Sequence, residues 1–334
     1  EIFMKALVFS STKNLIYKTV PKPKLKKNET LIKVLATGIC GSDMHAFNGL
    51  DKVKKKPPII LGHEVIGINL QKNKYCAINP IISCSKCEYC KKNMEHLCSK
   101  LSMIGMTKPI KKNGGFAEFL SIPRSNVLNI PKNKNLYNFT LIEPTAVALH
   151  AINLSKKHID KDLSKLNILI IGAGSIGLLI ALILKSKKIN KLNMVDFNFK
   201  KLEIAKKHTN TSIFQPHQKK LLQQRFDIIY DAVGTNNSRE QALNLIKSGG
   251  LIMHIGLSEI NKGINFLKLT RNEVKLIGSY AYTNKEFKNS LTMISKNKLG
   301  NLSWKSFTNL KNGQKIFESI NTGKSISPKI ILTP

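Results

Sequence analysis

The spacing of the hydrophobic residues changes near residue 145. Before that point, short, largely apolar segments are separated by proline, glycine and asparagine, a pattern typical of β-strands. Examples are residues 4–9, 31–36 and 116–122. From about residue 145 to 280, short apolar runs alternate with amphipathic stretches of helical spacing. The pattern predicts a mostly β first region followed by an α/β region with a doubly wound parallel sheet.

The second region contains enough apolar runs for a complete dinucleotide-binding sheet of six strands. These predicted strands are residues 167–171, 191–195, 213–214, 226–230, 251–255 and 274–277. The rest of the chain begins with a predicted helix at 284–298 and ends with a predicted strand at 329–332. With 334 residues, 42% of them hydrophobic, the chain has enough material for two domains.

A glycine-rich turn directly follows the first of the six predicted strands. Residues 172–177 read GAGSIG and open an apolar helix. The first glycine permits a tight turn, the second lets the backbone approach a pyrophosphate, and the third lets helix and strand pack closely. The unpaired N–H groups of the helix N-terminus would face the phosphates. The predicted cofactor contacts are Gly172, Gly174, Ser175, Ile176 and Gly177.

The residue that ends the second predicted strand suggests which dinucleotide binds. Asp196 offers a carboxylate that can accept hydrogen bonds from both hydroxyls of an adenosine ribose, which favours NAD. Lys200 and Lys201 weakly favour NADP, because a nearby cation can accommodate its 2′-phosphate. We expect repulsion between Asp196 and such a phosphate to dominate, with Lys201 among the cofactor contacts. The alternative is a glycine-rich turn before a buried helix, with Asp196 as a simple cap.

The formal charge of +34 raises the question of a nucleic-acid partner. Arginine, the preferred residue for bidentate phosphate and base contacts, is scarce, and lysines are spread along the whole chain. The dense lysine groups lack interleaved aromatic residues and are predicted to be solvated loops. One such group is Lys52, Lys54, Lys55 and Lys56. We therefore predict no specific nucleic-acid partner.

No apolar run approaches the roughly 20 residues that a membrane-spanning helix needs. The longest candidate, residues 168–184, is interrupted by the glycines of the turn described above. The first residues show no signal-peptide pattern. We expect no membrane partner and a cytoplasmic location.

Four of the six cysteines lie within fifteen residues, with the spacing C-x2-C-x2-C-x7-C. Zinc binds four tetrahedral ligands and accepts thiolates readily, and an all-cysteine shell leaves no position for a substrate. The group therefore predicts a structural zinc site rather than a reactive one. Disulfide pairing is the alternative, but it requires an oxidising compartment. The predicted ligands are Cys84, Cys87, Cys90 and Cys98.

Further metal-ligand chemistry lies in the β-rich region. Residues 40–45 (CGSDMH) and 62–64 (GHE) both adjoin glycines that permit sharp turns. Three ligands drawn from cysteine, histidine and a carboxylate, with an open fourth position, form a catalytic zinc site. The spacing alone does not show that Cys40 and His63 meet. Taken singly, each is more often a buried packing residue.

The order of these motifs resembles that of the zinc-dependent medium-chain dehydrogenases. In that order stand residues 40–45, residues 62–67 (GHEVIG), the four cysteines, residues 114–118 (GGFAE), residues 143–144 (EP) and the glycine-rich turn. The resemblance covers essentially the whole chain. It is closest to the polyol branch, with sorbitol, L-idonate and galactitol-phosphate dehydrogenases, because residues 142–147 (IEPTAV) hold a glutamate where alcohol dehydrogenases carry a cysteine ligand.

The resemblance implies a two-domain α/β architecture. A GroES-like, mostly β catalytic domain would comprise residues 1–146 and 283–334, with a structural zinc lobe at 84–98. A Rossmann domain with a doubly wound, parallel, six-stranded sheet would comprise residues 147–282, with the active site in the cleft between them. Two zinc ions per chain, NAD, and assembly as a homodimer or homotetramer are also implied.

The resemblance further implies the ligands of the catalytic zinc. These would be Cys40, His63 and either Glu64 or Glu143, because the ligating glutamate varies within the family. Asp43 resembles the carboxylate that orients the imidazole of the ligand histidine.

The reaction implied is hydride transfer between a secondary alcohol and NAD. Ser42 and His45 resemble the relay that carries the proton of the alcohol to solvent. The substrate would be a polyol, a sugar acid or a sugar phosphate. An L-threonine or simple-alcohol dehydrogenase of the same family is an alternative, and a zinc-containing nucleic-acid-binding protein is an alternative from another class.

The chain departs from the family pattern at residues 68–78. This stretch is shorter than the two strands and connecting turn that are usual there. We expect the turn to be missing, and Cys76 to be a buried apolar residue in the shortened strand.

Overall fold

The structure is a computed structural model that describes residues 2–51, 53–133, 135–259 and 263–334. Lys52, which belongs to one of the predicted solvated lysine groups, lies outside them. The strands are β1 (Phe3–Ser11), β2 (Asn14–Pro21), β3 (Glu29–Gly38), β4 (Ile59–Ile60), β5 (Glu64–Asn69), β6 (Lys74–Ile78), β7 (Ile81–Ile82), β8 (Ser102–Met103), β9 (Phe119–Pro123), β10 (Val127–Asn129), β11 (Ile168–Ile171), β12 (Leu192–Val195), β13 (Ser212–Phe214), β14 (Phe226–Asp231), β15 (Ile246–His254), β16 (Lys275–Gly278), β17 (Lys305–Asn309) and β18 (Lys329–Thr333).

Ten α-helices occur among the described residues, together with five short 3₁₀ turns. The α-helices are α1 (Gly41–Phe47), α2 (Glu88–Lys91), α3 (Ile142–Lys156), α4 (Ser175–Ser186), α5 (Phe199–Thr209), α6 (Lys219–Leu222), α7 (Asn236–Leu245), α8 (Phe266–Arg271), α9 (Asn284–Ser295) and α10 (Gly313–Asn321).

The six predicted strands of the α/β region form one parallel sheet, in the order β13-β12-β11-β14-β15-β16. The predicted doubly wound sheet is therefore confirmed. Its central strand β11 is Ile-Leu-Ile-Ile and is at most 4% exposed at every residue, as expected for a strand covered by helices on both faces.

The strand order reverses at β11, which lies between β12 and β14. The chain leaves these strands in opposite directions, and a crevice opens beyond their carboxyl ends. Ile171 is in register with Val195 on one side and with Asp231 on the other. The loop that starts at Gly172 therefore lies at the point where such sheets bind ligands.

The first region forms a second, largely antiparallel sheet. Its order is β10-β6-β5-β3-β18-β17, with β9 paired to another part of β3. The strands predicted at 4–9, 31–36 and 329–332 are confirmed, and the one predicted at 116–122 begins later, at Phe119. The C-terminal strand β18 pairs with β3, where Ile331 lies opposite Gly38. This pairing brings the end of the chain beside the segment that begins at Cys40.

The prediction of a missing turn at residues 68–78 is wrong. Strands β5 and β6 both form and pair antiparallel, and the tight connection between them includes Asn73 with a φ of 48°. Asparagine tolerates this left-handed conformation, so no glycine is required there. Cys76 is fully buried in β6, as predicted, and burial raises the pKa of its thiol to about 12.

Helices α3 and α9 pack against each other beside the parallel sheet. Glu286, in the first turn of α9, accepts hydrogen bonds from the backbone N–H and the hydroxyl of Thr283 and from Asn153, and it contacts His150 at 2.8 Å. The predicted division at residues 146/147 falls inside the continuous helix α3, and the division into domains stays a prediction.

Residues of the cysteine-rich segment also contact α9. Glu95 accepts a hydrogen bond from the side chain of Asn284, which in turn accepts one from Asn79. The ring of His96 lies edge-on to that of His150, with centroids 4.6 Å apart. These contacts join the segment to the α3–α9 pair. Among the described residues, no helix is both long and apolar enough to cross a membrane.

We expect Glu286→Gln to destabilise the protein by about 2 kcal/mol at neutral pH, because hydrogen bonds to a charged carboxylate are replaced. Burial would raise the pKa of Glu286, but its hydrogen bonds to His150, Thr283 and Asn153 lower it to about 2. A depressed pKa stabilises the folded state above the ordinary value near 4.5, and this contribution is lost as the pH falls toward 2.

The measurement is the melting temperature of wild type and variant as a function of pH. The difference should be constant near neutrality and should shrink below pH 4.5. The exposed Glu203→Gln on α5 is the matched control and should change nothing. A difference that grows on acidification would contradict the assigned role of the Glu286 carboxylate.

Candidate functional site

The four cysteines predicted to bind a structural metal converge in space. The Sγ atoms of Cys84, Cys87, Cys90 and Cys98 all lie within 4.8 Å of one another. The segment achieves this by turning sharply through α2, whose four residues follow Cys87.

The surroundings of these sulfurs suit thiolates. The backbone N–H of Cys84 points at the sulfur of Cys98 at 3.3 Å, and that of Cys87 points at the sulfur of Cys84 at 3.4 Å. The backbone N–H of Cys90 is the main cause that lowers the pKa of the Cys87 thiol to about 6. Four converging sulfurs with N–H donors match the donor set of a structural zinc site. None of the six cysteines of the chain forms a disulfide.

A second group of metal-ligand atoms lies at the ends of two neighbouring strands in the antiparallel sheet. Donor atoms of Cys40, His63 and Glu64 also lie within 4.8 Å of one another. Cys40 follows β3 and caps α1, whereas His63 immediately precedes β5. Strands β3 and β5 are paired neighbours, so their adjacent ends bring these residues together. The convergence that spacing alone did not show is present in the fold.

A glycine makes this approach possible. Gly62 has a φ of +89°, and a Cβ atom there would lie 2.5 Å from the ring of Phe116. Only glycine fits this turn without strain, and the turn delivers His63 to the site.

Asp43 faces the imidazole of His63. The Oδ1 atom of Asp43 lies 3.6 Å from Nδ1 of His63, while Oδ2 accepts a hydrogen bond from the backbone N–H of Cys40. Asp43 is completely buried. Burial would raise its pKa, but the charges of His63 and Lys55 outweigh burial and hold it below the usual range. The contact on Nδ1 leaves Nε2 of His63 available as a metal ligand.

The carboxylate of Glu64 is held by a lysine that the sequence did not single out. The Nζ atom of Lys329 donates to Oε1 and Oε2 of Glu64 at 2.6 and 2.7 Å, and also to the carbonyl of Ile39. Both side chains are about 1% exposed. Burial would lower the pKa of Lys329, but the Glu64 carboxylate raises it. A lysine at the start of a largely apolar strand was the available signal, but its partner lies 265 positions away in the chain.

Glu143, at the start of α3, lines the cleft with Cys40 and His63, but it is not among the residues whose donor atoms converge within 4.8 Å. It is 6% exposed, and burial and the nearby Glu64 raise its pKa to about 7, against the opposing influence of His63. The fully buried hydroxyl of Tyr282 has no partner of good hydrogen-bond geometry in the part of the chain that the structure describes, and the pKa of this hydroxyl is raised by burial and by Glu143. Sequence reasoning missed Tyr282 as a neighbour of Glu143.

The two predicted relay residues lie on α1. Ser42 and His45 are three residues apart, so they are on the same side of this helix, and both line one cleft with Cys40 and His63. The prediction of a solvated loop is wrong for Lys55, which is only 2% exposed. The other two described lysines of that group are exposed, as predicted.

The glycine-rich turn has the geometry that its sequence predicts. Gly172 has a φ of +102°, and a Cβ atom on Gly177 would lie 1.9 Å from the carbonyl oxygen of Gly172. At Gly174, by contrast, a Cβ atom would meet nothing within 4 Å. The turn therefore requires glycine at position 172 for its backbone conformation and at position 177 for close packing. At position 174 it leaves open space. Ser175 is the first residue of α4 and Ile176 the second.

A cavity of about 350 Å³ lies beside this turn. Asp196 lines it, but its carboxylate accepts hydrogen bonds from the backbone N–H groups of Ala173 and Asn198, both at 2.7 Å. Each carboxylate oxygen keeps a further lone pair, so these bonds orient the group toward the cavity without saturating it. Lys201 lies in the first turn of α5, where its backbone N–H donates to Asn198. The space beside the turn fits a nucleoside.

One larger cleft, of about 530 Å³, connects the two sheets. The antiparallel side contributes Cys40, His63 and the relay residues. The parallel side contributes Ile176 and the loops that follow β14 and β15. The cleft therefore joins the metal-ligand atoms to the crevice beyond the parallel strands.

Two family models match the chain. Residues 26–132 match the alcohol dehydrogenase GroES-like domain, and residues 175–296 match the zinc-binding dehydrogenase family. The two matched segments correspond to the two sheets that border the cleft.

Characterised relatives match over most of their length. The chain is 29% identical to sorbitol dehydrogenase of Bacillus subtilis over 301 residues, which is 84% of this chain and 83% of the relative. It is 28% identical to L-galactonate-5-dehydrogenase of Escherichia coli, covering 85% of both chains.

A solved structure agrees with these matches. A crystal structure of an Escherichia coli oxidoreductase of unknown specificity superimposes with a TM-score of 0.87 and 27% identity, covering 99% of both chains. The motifs, the fold and the cleft agree with these similarities, and the chain belongs to the zinc-dependent medium-chain dehydrogenase family.

Proposed function

We propose that the protein transfers a hydride between a secondary alcohol and NAD, and that the alcohol is part of a polyol, a sugar acid or a sugar phosphate. The observation that carries this proposal is the shared cleft. Metal-ligand atoms of Cys40 and His63 line the same space as Ile176, at the start of the helix that follows the glycine-rich turn. A metal ion and a dinucleotide bound at these two places would face a common substrate.

The residues present fit two zinc ions and NAD. Zinc held by Cys40, His63 and a glutamate would make the hydroxyl of a bound alcohol more acidic, and NAD would supply the hydride acceptor. Cys84, Cys87, Cys90 and Cys98 would hold the structural zinc. Asp43 orients His63. Ser42 accepts the proton of the alcohol, and His45 passes it to solvent.

The position of Lys329 bears on which glutamate holds the catalytic zinc. Because both oxygens of Glu64 already contact a buried ammonium group, a cation bound directly to Glu64 would lie close to a like charge. We infer that Glu143 is the direct ligand. Glu64 then contributes negative charge from behind the donors, held in place by Lys329.

The cofactor cavity supports the proposal of NAD rather than NADP. The carboxylate of Asp196 lines it, and backbone N–H groups on two sides fix its position. A ribose hydroxyl can donate to this carboxylate, whereas a 2′-phosphate would be repelled by it. Gly172, Gly174, Ser175, Ile176, Gly177 and Lys201 would complete the contacts.

The cleft can hold a substrate with several hydroxyls. Its lining is mainly apolar, with Met103 and Met106 in it, but the polar side chains of Asn48, Asp51 and Lys54 provide hydrogen-bonding groups. Several hydrogen-bonding groups around one reaction centre suit a molecule with several hydroxyls better than a simple alcohol. This favours the polyol class over the simple-alcohol alternative, and the sorbitol and L-galactonate dehydrogenases named above are relatives with such substrates in their names.

A nucleic-acid role for the cysteine-rich lobe has little structural support. Helix α2, within the lobe, has only four residues. Zinc modules that read DNA place a longer helix in the major groove. The contacts of Glu95 and His96 with α9 and α3 instead indicate a lobe that packs onto its own chain.

We also propose assembly as a homodimer or homotetramer in the cytoplasm. Strand β16 is the edge of the parallel sheet, and Leu276 on it is 37% exposed. Nearby on α8, Phe266 and Leu267 are more than half exposed. An open strand edge beside apolar side chains suits pairing with a second copy. Free thiolates as zinc ligands suit a reducing compartment.

The first prediction concerns the reaction. With polyols, aldonates and their phosphates, the zinc-loaded protein should reduce NAD faster than NADP, as followed by NADH absorbance. His63→Ala should abolish turnover because a metal ligand is lost, while NADH binding persists. The exposed His158→Ala is the control and should remain active. An active His63 variant without zinc at this site would refute the mechanism.

The second prediction concerns the buried ion pair. Glu64→Gln should destabilise the protein by about 3 to 5 kcal/mol, because the ammonium of Lys329 stays buried without its counter-charge. Lys329→Met should cost a similar amount. The double variant should be more stable than the sum of the two losses predicts, as measured by chemical denaturation. Additive losses would show that the two groups do not interact.

The third prediction concerns the cysteine lobe. Cys87→Ser should reduce the zinc content from two ions per chain to one and lower the melting temperature. Light scattering should show whether assembly weakens as well. Hydride transfer at low temperature should persist, because the lobe does not line the cleft. Cys76→Ser is a buried-cysteine control outside both donor groups and should keep both ions; loss of turnover in Cys87→Ser with the second ion retained would contradict the structural role.

A further inference from the structure

Lys55 is buried where its sequence neighbours are exposed. Its side chain is 2% exposed, while Lys54 and Lys56 face solvent. Removing an ammonium group from water is costly unless it is paired and hydrogen-bonded. An apolar side chain of similar size would fill this space without that cost. The buried charge therefore calls for an explanation in terms of its contacts.

The ammonium group of Lys55 has three acceptors for its three N–H bonds. It donates to the carbonyl oxygen and to the hydroxyl oxygen of Ser42, both at 3.0 Å, and it lies 3.5 Å from Oδ1 of Asp43. The two contacts with Ser42 are the shorter ones. Asp43 balances the buried charge, but the ammonium group makes its shorter hydrogen bonds with Ser42.

These contacts limit what the Ser42 hydroxyl can do. An ammonium group has no lone pair and can only donate, so the hydroxyl proton cannot point toward Lys55. A hydroxyl oxygen has two lone pairs and one proton, and Lys55 occupies one lone pair. One lone pair and the proton remain. A relay needs both: the lone pair accepts a proton from the substrate, and the hydroxyl proton is passed on to the next group.

We propose that Lys55 is a positioning residue that orients the Ser42 hydroxyl for proton transfer from the alcohol to His45. This inference rests on the proposed function, because it assigns a role within the same cleft. The proton leaves the alcohol oxygen for the free lone pair of Ser42, and the original hydroxyl proton leaves Ser42 for the ring nitrogen of His45. Lys55 keeps all its protons throughout.

The electrostatics of His45 support this role. Burial and the charge of Lys55 lower the pKa of His45, and Asp51 opposes them. Lys54, His63 and Glu143 line the same cleft. An uncharged imidazole can accept a proton near neutral pH, whereas a protonated one cannot. Lys55 therefore also favours the acceptor form at the far end of the relay.

The test compares neighbouring lysines in the zinc-loaded full-length protein with NAD and a turned-over polyol. Lys55→Met should lower kcat by about tenfold to a hundredfold with little change in KM, which is at or below the roughly 10²- to 10⁴-fold contribution of a proton-transferring group itself, because Ser42 and His45 remain. Lys56→Met is the matched control and should behave as wild type. Zinc content and melting temperature are measured for both. A Lys55→Met protein that equals Lys56→Met, or whose activity falls only in proportion to lost zinc, would overturn the proposal.

A double-mutant cycle separates positioning from general packing. Ser42→Ala removes the hydroxyl, so adding Lys55→Met to it should cost less than about threefold more. Full additivity of the two losses would overturn the proposal. If Lys55→Met does not fold, Lys55→Gln replaces it in the same cycle, because glutamine is uncharged but can still donate. The loss of kcat caused by Lys55→Gln should be smaller than the loss caused by Ser42→Ala. In the Ser42→Ala background, Lys55→Gln should cause no further loss.

An NMR measurement needs no substrate and distinguishes this proposal from the proposed function. The titration midpoint of the His45 ring should rise when Lys55 is replaced by methionine and stay constant when Lys56 is. If no alcohol is oxidised by the wild type, the proposed function fails, and the relay role of Lys55 fails with it. If an alcohol is oxidised but the His45 midpoint is the same in Lys55→Met and wild type, the role of Lys55 alone is overturned.

Discussion

The candidate site depends on the neutralisation of two buried carboxylates. Asp43 and Glu64 are at most 1% exposed, and each contacts a buried ammonium group, Lys55 and Lys329 respectively. A buried charge without a partner would be strongly destabilising, so the two lysines are needed for the carboxylates to stay ionised. Both pairs adjoin His63, because Asp43 faces its imidazole and Glu64 is the next residue in the chain.

The two sheets contribute differently to this arrangement. The antiparallel sheet supplies the donors, because the ends of β3 and β5 are adjacent and β18 adds Lys329 from the far end of the chain. The parallel sheet supplies a crevice where its strand order reverses, together with a turn whose glycines leave room for a phosphate. The cleft exists only because the two sheets face each other. Neither sheet alone would place a cofactor beside a metal ion.

Much of the fold could be predicted because its signals are local. The apolar run of β11 followed by glycines identifies a parallel strand and its turn, and the close spacing of four cysteines identifies their convergence. The turn between β5 and β6 is not evident from the sequence because residues 68–78 are few and contain no glycine, whereas Asn73 adopts the left-handed conformation that the turn requires. Lys55 was taken for a solvated residue because lysine is rarely buried, and its burial depends on Ser42 and Asp43, more than ten residues earlier in the chain.

Residue type and short spacing are enough to predict the elements, the glycine turn and the cysteine group. The convergence of Cys40, His63 and Glu64, and the neutralisation of the carboxylates around them, depend on the tertiary fold. Pairing of β18 with β3 brings Lys329 to Glu64, and the turn after α1 buries Lys55 against Ser42. Such contacts join residues far apart in the chain. Their cost and their benefit arise only when water is excluded, which no local pattern records.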